Sequence, residues 1–238
     1  MKGMNIKSIL LAIALVSAAT ASAQQEPGTF SVIPRVGLAL ANTSDKLFSE
    51  GAFGFNKEPL STSFKPGVAA GADVEYQVGR MASASVGAYY AMQGAKFDEG
   101  EYATEDKHKY VGIGDMRTEL QYVNVPVMLN MYVARGLAVK AGVQLGFCVG
   151  AKYEWDETDI QKDDDGMKTY GETKTVTTDI KYNKVDVSIP LGVSYEYMNV
   201  ILDARYNFGL TGVINGIPSD LNIKNKVIAF TVGYRFAL

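Results

Sequence analysis

The chain has 238 residues with a formal net charge of −3, is 47% hydrophobic and 21% charged, and contains one histidine and one cysteine. That mild acidity argues against a nucleic-acid partner, which favours a basic face. The lone Cys148 excludes an intrachain disulfide framework.

Reading from the N-terminus, Lys2 and Lys7 give a positive start and Ser8–Ala19 a run of apolar and small residues. Ala21-Ser22-Ala23 then forms a small-residue exit before Gln24. These are the parts of a secretory signal peptide, so residues 1–23 are expected to be a cleaved leader and residues 24–238 the mature domain. The apolar core is shorter than the ~20 residues a transmembrane helix needs. Loss of the two leader lysines moves the net charge from −3 to about −5. No later apolar run is long enough to cross a bilayer as a helix, so any crossing must be made by strands.

After Gln24 the polarity alternates with a period of two, which predicts eight strands. In chain order they are Thr29–Ala41, Phe64–Val78, Ala82–Phe97, Thr118–Val133, Leu137–Tyr153, Lys184–Tyr197, Asn199–Thr211 and Lys226–Leu238. In the fifth, Leu137, Val139, Ala141, Val143, Leu145, Phe147, Val149 and Ala151 share one face. Ala138, Lys140, Gly142, Gln144, Gly146, Cys148, Gly150 and Lys152 share the other. The sixth repeats the pattern, with Val185, Val187, Ile189, Leu191, Val193 and Tyr195 on its apolar side.

A soluble sandwich also alternates in this way. Three features favour a membrane. The apolar parity is read as free of charge, as a lipid face demands, because Arg or Lys at the midplane costs roughly 2–4 kcal/mol. The other parity carries Arg35, Lys140, Lys152, Arg205 and Arg235 with Asp73, Glu75, Asp186, Glu196 and Asp203, an expected salt-bridge network facing inward. Long connections at 42–63, 98–117, 154–183 and 212–225 alternate with tight turns at Gly79-Arg80, Arg135-Gly136 and Met198. Short periplasmic turns and long outer loops are the arrangement of a transmembrane barrel with both termini in the periplasm.

Aromatics fit the same frame. Phe30, Tyr76, Tyr195, Tyr197, Tyr234 and Phe236 are expected in the periplasmic girdle, and Tyr90, Tyr153, Tyr206, Phe208 and Phe230 in the outer one. The expected fold is therefore all-β, an eight-stranded antiparallel up-and-down transmembrane β-barrel in the outer membrane. Tyr89, Tyr122, Met128 and Tyr132 on the inner parity are expected to obstruct its lumen.

Three stretches resemble the PorT-type outer-membrane β-barrel family. They are Tyr122-Val123-Asn124-Val125-Pro126-Val127-Met128-Leu129, Leu202 through Thr211, and the ending from Asn225 through Phe236. The resemblance covers essentially the whole mature chain and implies the barrel of Bacteroidetes-like Gram-negative bacteria. The founding member is implicated in secretion-system assembly, but no residue here carries that role across.

Candidates for chemistry are few. His108 lies in the charged loop Asp98–Lys109, where a solvated histidine is the ordinary reading and a rim acyltransferase or hydrolase the sharper one. Cys148 sits on the lumen parity among glycines and is read as a space-filling residue. Gln161-Lys162-Asp163-Asp164-Asp165-Gly166 with Glu172 resembles a calcium loop, Gly166 at its sixth position and Glu172 at its twelfth. Gln161 stands where a carboxylate belongs and Lys162 and Lys168 oppose a cation, so a solvated loop tip is the expectation. No catalytic residue, cofactor or metal is assigned. Expected partners are outer-membrane lipid and an envelope or extracellular protein held by the outer loops. The functional expectation is a structural or interaction barrel, with a narrow pore or a transport or secretion accessory as the alternative and no enzyme activity.

Overall fold

The computed structural model describes residues 25–43, 62–97, 100–103, 109–163, 165–179, 182–213 and 223–238. The expected leader, His108 and part of each long connection lie outside them. Twelve strands run β1 Phe30–Thr43, β2 Thr62–Gly79, β3 Ala82–Gln93, β4 Ala95–Phe97, β5 Gly100–Ala103, β6 Lys109–Ala134, β7 Leu137–Lys162, β8 Lys168–Asp179, β9 Val185–Tyr197, β10 Val200–Gly209, β11 Asn225–Tyr234 and β12 Phe236–Ala237.

Eight of them close a ring: β1, β2, β3, β6, β7, β9, β10 and β11, with β11 returning to β1. Every pairing is antiparallel. Closure leaves the ring no unpaired edge, which is what lets strands cross hydrocarbon. All eight expected strands are present in the expected order. The three short turns are also in place. Met198 and Asn199 both have positive φ, 48° and 67°, between the paired Tyr197 and Val200. Two positive-φ residues make a type I′ turn, whose twist matches that of the strands it joins.

The burial pattern is inverted relative to a soluble protein. Leu129 is 69% exposed, Val36 62% and Val143 56%, while Asp73 is 1% exposed and Arg35 and Asp203 4% each. In water this arrangement would cost hydrophobic energy outside and desolvation energy inside. In a bilayer the outer surface meets acyl chains and the hydrophobic cost disappears, while the inward charges are compensated by pairing with one another. Inward glycines make room for the lumen side chains. A Cβ at Gly87 would stand 2.3 Å from Asp73 Oδ1 and 2.7 Å from the Tyr89 ring, so only glycine lets that ring lie flat on the wall.

Three expectations need correction, all at the end of the barrel remote from the chain termini. First, β7 carries a bulge at Val149: Gln121 pairs with Gly150 but Tyr122 pairs with Cys148. One extra residue reverses the facing of everything beyond it. Tyr153, paired with the buried Thr118, therefore turns inward instead of joining the outer girdle, as does Ala151 opposite Leu120. Lys152 becomes exposed instead of joining the lumen network. Second, the lipid-facing parity is not wholly uncharged, since Lys96, Glu119 and Lys226 stand on it near the strand ends remote from the chain termini. There they reach the polar boundary, where the penalty falls to ~0–1 kcal/mol. Third, the connections read as loops at 98–117 and 154–183 are largely strand, because β6 and β7 each run for 26 residues.

Candidate functional site

The lumen holds its charges in three tiers. The middle tier joins β1, β2, β7 and β10. Arg35 Nε lies 2.8 Å from Asp73 Oδ2, and Arg205 Nη2 lies 3.4 Å from the same oxygen. Asp203 receives Lys140 Nζ at 2.7 Å and Arg205 Nε at 2.6 Å, with Arg35 Nη1 at 3.7 Å. None of these five side chains is more than 9% exposed. The Arg205 guanidinium also stands 5.6 Å from the Tyr89 ring centroid, within range of a cation–π contact. Because its members come from opposite walls, this cluster spans the bore as a plug.

Towards the chain termini, Arg235 bridges Glu75 and Glu196, both at 3.0 Å, and Tyr132 donates its hydroxyl to Glu75 at 2.9 Å. Towards the other end, Thr211 donates to Asp186 at 2.7 Å, and Asn225 donates to Asp186 at 3.3 Å. Nine of the ten charged residues expected to face inward do so, Lys152 being the exception. The four obstructing side chains, Tyr89, Tyr122, Met128 and Tyr132, are all buried. A cavity of about 40 Å³ remains beyond the plug and one of about 10 Å³ before it, space for only a few waters.

Apolar side chains gather at the end of the lumen remote from the chain termini. Val213 and Ile223 are buried and joined by a backbone bond of 2.8 Å from Val213 N to Ile223 O. Asn183 ties in by donating its side-chain amide to the Gly212 carbonyl at 2.7 Å. At the same end Phe97, Met116 and Ala95 form a small apolar core, with Ile113, Tyr153 and Trp155 packed against it. Tyr153 stands between Phe97 and Trp155, its ring 6.1 and 5.2 Å from theirs.

Beyond this core a sheet continues outward as an arm. A transmembrane strand needs only about 9–11 residues. The first half of β6 and the second half of β7 therefore run on into solvent, with β5 added beside β6 and β8 beside β7. Ion pairs brace its base. Arg117 meets Asp115 and Glu154, the latter at 2.7 Å, and Lys65 meets Glu119 at 3.3 Å. Partial burial opposes the Arg117 charge, but Asp115, Glu154 and Glu119 outweigh it and hold the guanidinium above its ordinary pKa. Thr175 donates to Asp156 at 2.7 Å, and the Thr158 and Thr173 hydroxyls lie 2.8 Å apart, tying β7 to β8. Nearly all of β8 is exposed, and beyond β7 it has no other strand partner among the described residues.

The stretch that resembles a calcium loop falls at the end of this arm. Asp163 and Gly166 lie in the turn at its tip, where Asp163 Oδ1 accepts the Met167 amide at 2.7 Å and Gly166 has a φ of 86°. That carboxylate serves as a turn cap, and no cluster of three metal-ligating groups occurs among the described residues. Cys148 is partly buried on the lumen side, its thiol directed at the Gly150 carbonyl at 3.4 Å. Sequence reasoning missed the arm. A signal was present: Thr169, Thr173, Thr175 and Thr177 are β-branched residues in a run without proline, and such residues favour strands.

Comparison with known proteins gives one family. The family described as outer membrane protein beta-barrel domain matches residues 22–215. No curated protein matches the chain. Among solved structures, the chain is similar to Ail, the attachment invasion locus protein of Yersinia pestis, at 11% identity, with 88% of this chain and 99% of that one covered and a TM-score of 0.39. Neisserial surface protein A is similar at 15% identity, with 87% and 97% covered and a TM-score of 0.43. A de novo designed transmembrane β-barrel is similar at 14% identity, with 90% and 99% covered and a TM-score of 0.35.

Proposed function

The chain belongs to the outer membrane protein beta-barrel domain family and is an outer-membrane β-barrel protein, and we propose that it acts as a membrane-anchored interaction scaffold that presents its arm to a partner. The observation that carries this reading is the contrast between a lumen closed at two levels and a sheet built far beyond what spanning requires. A plug of five interlocked charges and a capped mouth favour display over passage. The narrow-pore alternative has no comparable support.

The chain is exported by its leader, residues 1–23, which is removed, and both termini lie in the periplasm. The tight turns at Gly79-Arg80, Arg135-Gly136 and Met198-Asn199 then lie on the periplasmic side and the arm outside the cell. Within the family, the motif runs at Tyr122–Leu129, Leu202–Thr211 and Asn225–Phe236 support a PorT-type barrel.

Site-specific photo-crosslinking in intact cells tests the reading. A probe at Thr173 on β8 is expected to yield one adduct of defined mass, and a probe at Thr29, beside the chain terminus at the opposite end of the barrel, is expected to yield none of that mass. Absence of any adduct at Thr173, together with stepwise conductance of the purified barrel, would overturn it.

A further inference from the structure

The outward wall is not uniformly bulky. Across β7, β9, β10 and β11, one row of cross-strand neighbours reads Leu137, Tyr195, Leu202 and Val232. In the next row Ala204 sits between Val193 and Phe230. A methyl group flanked by a valine and a phenyl ring leaves a dent, and these residues line an open groove of about 400 Å³. Its walls are apolar and half exposed, with Leu202 at 53% and Phe230 at 51%. The groove reaches Leu137, the residue that follows the tight turn carrying Arg135.

Arg135 is exposed, and no carboxylate pairs with it among the described residues. It stands where the wall leaves the hydrocarbon for the headgroup layer. Tyr195 and Tyr197 mark the same level, the interface that amphipathic rings prefer. A greasy groove with a free guanidinium at its interfacial end matches one kind of molecule, an amphiphile with a phosphate head and a long tail. Arginine is suited to that head, since its planar fork binds phosphate in a bidentate manner.

We propose that this wall is a specific seat for a glycerophospholipid of the periplasmic leaflet. One acyl chain lies along Leu137, Tyr195, Leu202 and Phe230 over Ala204, and the phosphate rests on Arg135. The assignment to that leaflet depends on the orientation proposed above. With the opposite orientation the same groove would face lipopolysaccharide.

Native mass spectrometry of the full-length protein as processed by the cell, extracted from outer membranes in mild detergent, reads the seat directly. The wild type is expected to retain one phospholipid per barrel. Ala204→Phe fills the dent from the lipid side without touching the lumen and is expected to abolish retention. Arg135→Gln is expected to lower it on the order of tenfold, the value of one charge-assisted contact. Arg80→Gln, at the neighbouring turn, is expected to change nothing. Heat-modifiable gel mobility reports that each variant is folded. Equal lipid retention by the wild type and Ala204→Phe would overturn the seat. Lipopolysaccharide as the retained species, lost in Ala204→Phe, would overturn the leaflet and the orientation while leaving the groove.

Discussion

Lys140 and Asp203 belong to strands that do not touch, yet Nζ and Oδ2 meet at 2.7 Å across the intervening β9. Gly192 makes this meeting possible. It is the Cα partner of both Lys140 and Arg205, and a Cβ there would stand 3.0 Å from Arg205 Cγ. The barrel's centre is thus an ionic lattice laid over a bare patch of backbone.

Removing one partner from such a lattice leaves a buried charge uncompensated. Asp203→Asn strands Lys140 and half of Arg205, and an expected loss of about 3–5 kcal/mol follows. Asp203→Leu combined with Lys140→Met restores the charge balance and is expected to recover part of that loss. Urea unfolding of the refolded protein in phospholipid micelles measures both. Equal stability of Asp203→Asn and wild type would remove the plug from the account.

The plug also bears on conductance. Wild-type protein in a planar bilayer is expected to show no resolved steps, because charge clusters from opposite walls fill the bore and apolar side chains close the mouth. Joint replacement of Arg35, Asp73, Lys140, Asp203 and Arg205 by alanine is expected to raise ion leakage, provided the barrel still shows heat-modifiable mobility. Large steady steps from the unaltered protein would contradict this.

The bulge at Val149 makes a prediction of a different kind. Deleting that residue restores strict alternation along β7 and reverses every side chain beyond it. Tyr153 and Trp155 then leave the aromatic core and Lys152 replaces them. The arm is expected to loosen, seen as a red-shifted Trp155 emission and faster proteolysis between Asp156 and Thr175. The barrel below is expected to remain folded. An unchanged emission spectrum would show that the register drawn here is wrong.

These cases show which parts of the molecule the sequence carried. The spanning walls were legible because lipid outside and polar lumen inside impose a strict period of two, as along Leu137–Phe147 against Ala138–Gly146. The direction of Arg35, Asp73 and Asp203 came from the same rule. Above the membrane that rule lapses. Both faces of Lys168–Asp179 meet water, so polarity no longer alternates and the strand hides among loop-like residues. A bulge leaves no compositional mark either: strict alternation along β7 points Tyr153 at lipid, and the one extra residue at Val149 turns it inward.

The central claim, that the apolar face of each strand looks out to acyl chains, has a direct measurement. In a Trp155→Phe background, a single tryptophan placed at Leu129 is compared with the native Trp155 in bilayers whose lipid tails carry bromine. The account predicts strong quenching at position 129 and little at Trp155. Little quenching at 129, with ready quenching there by a water-soluble agent, would contradict it.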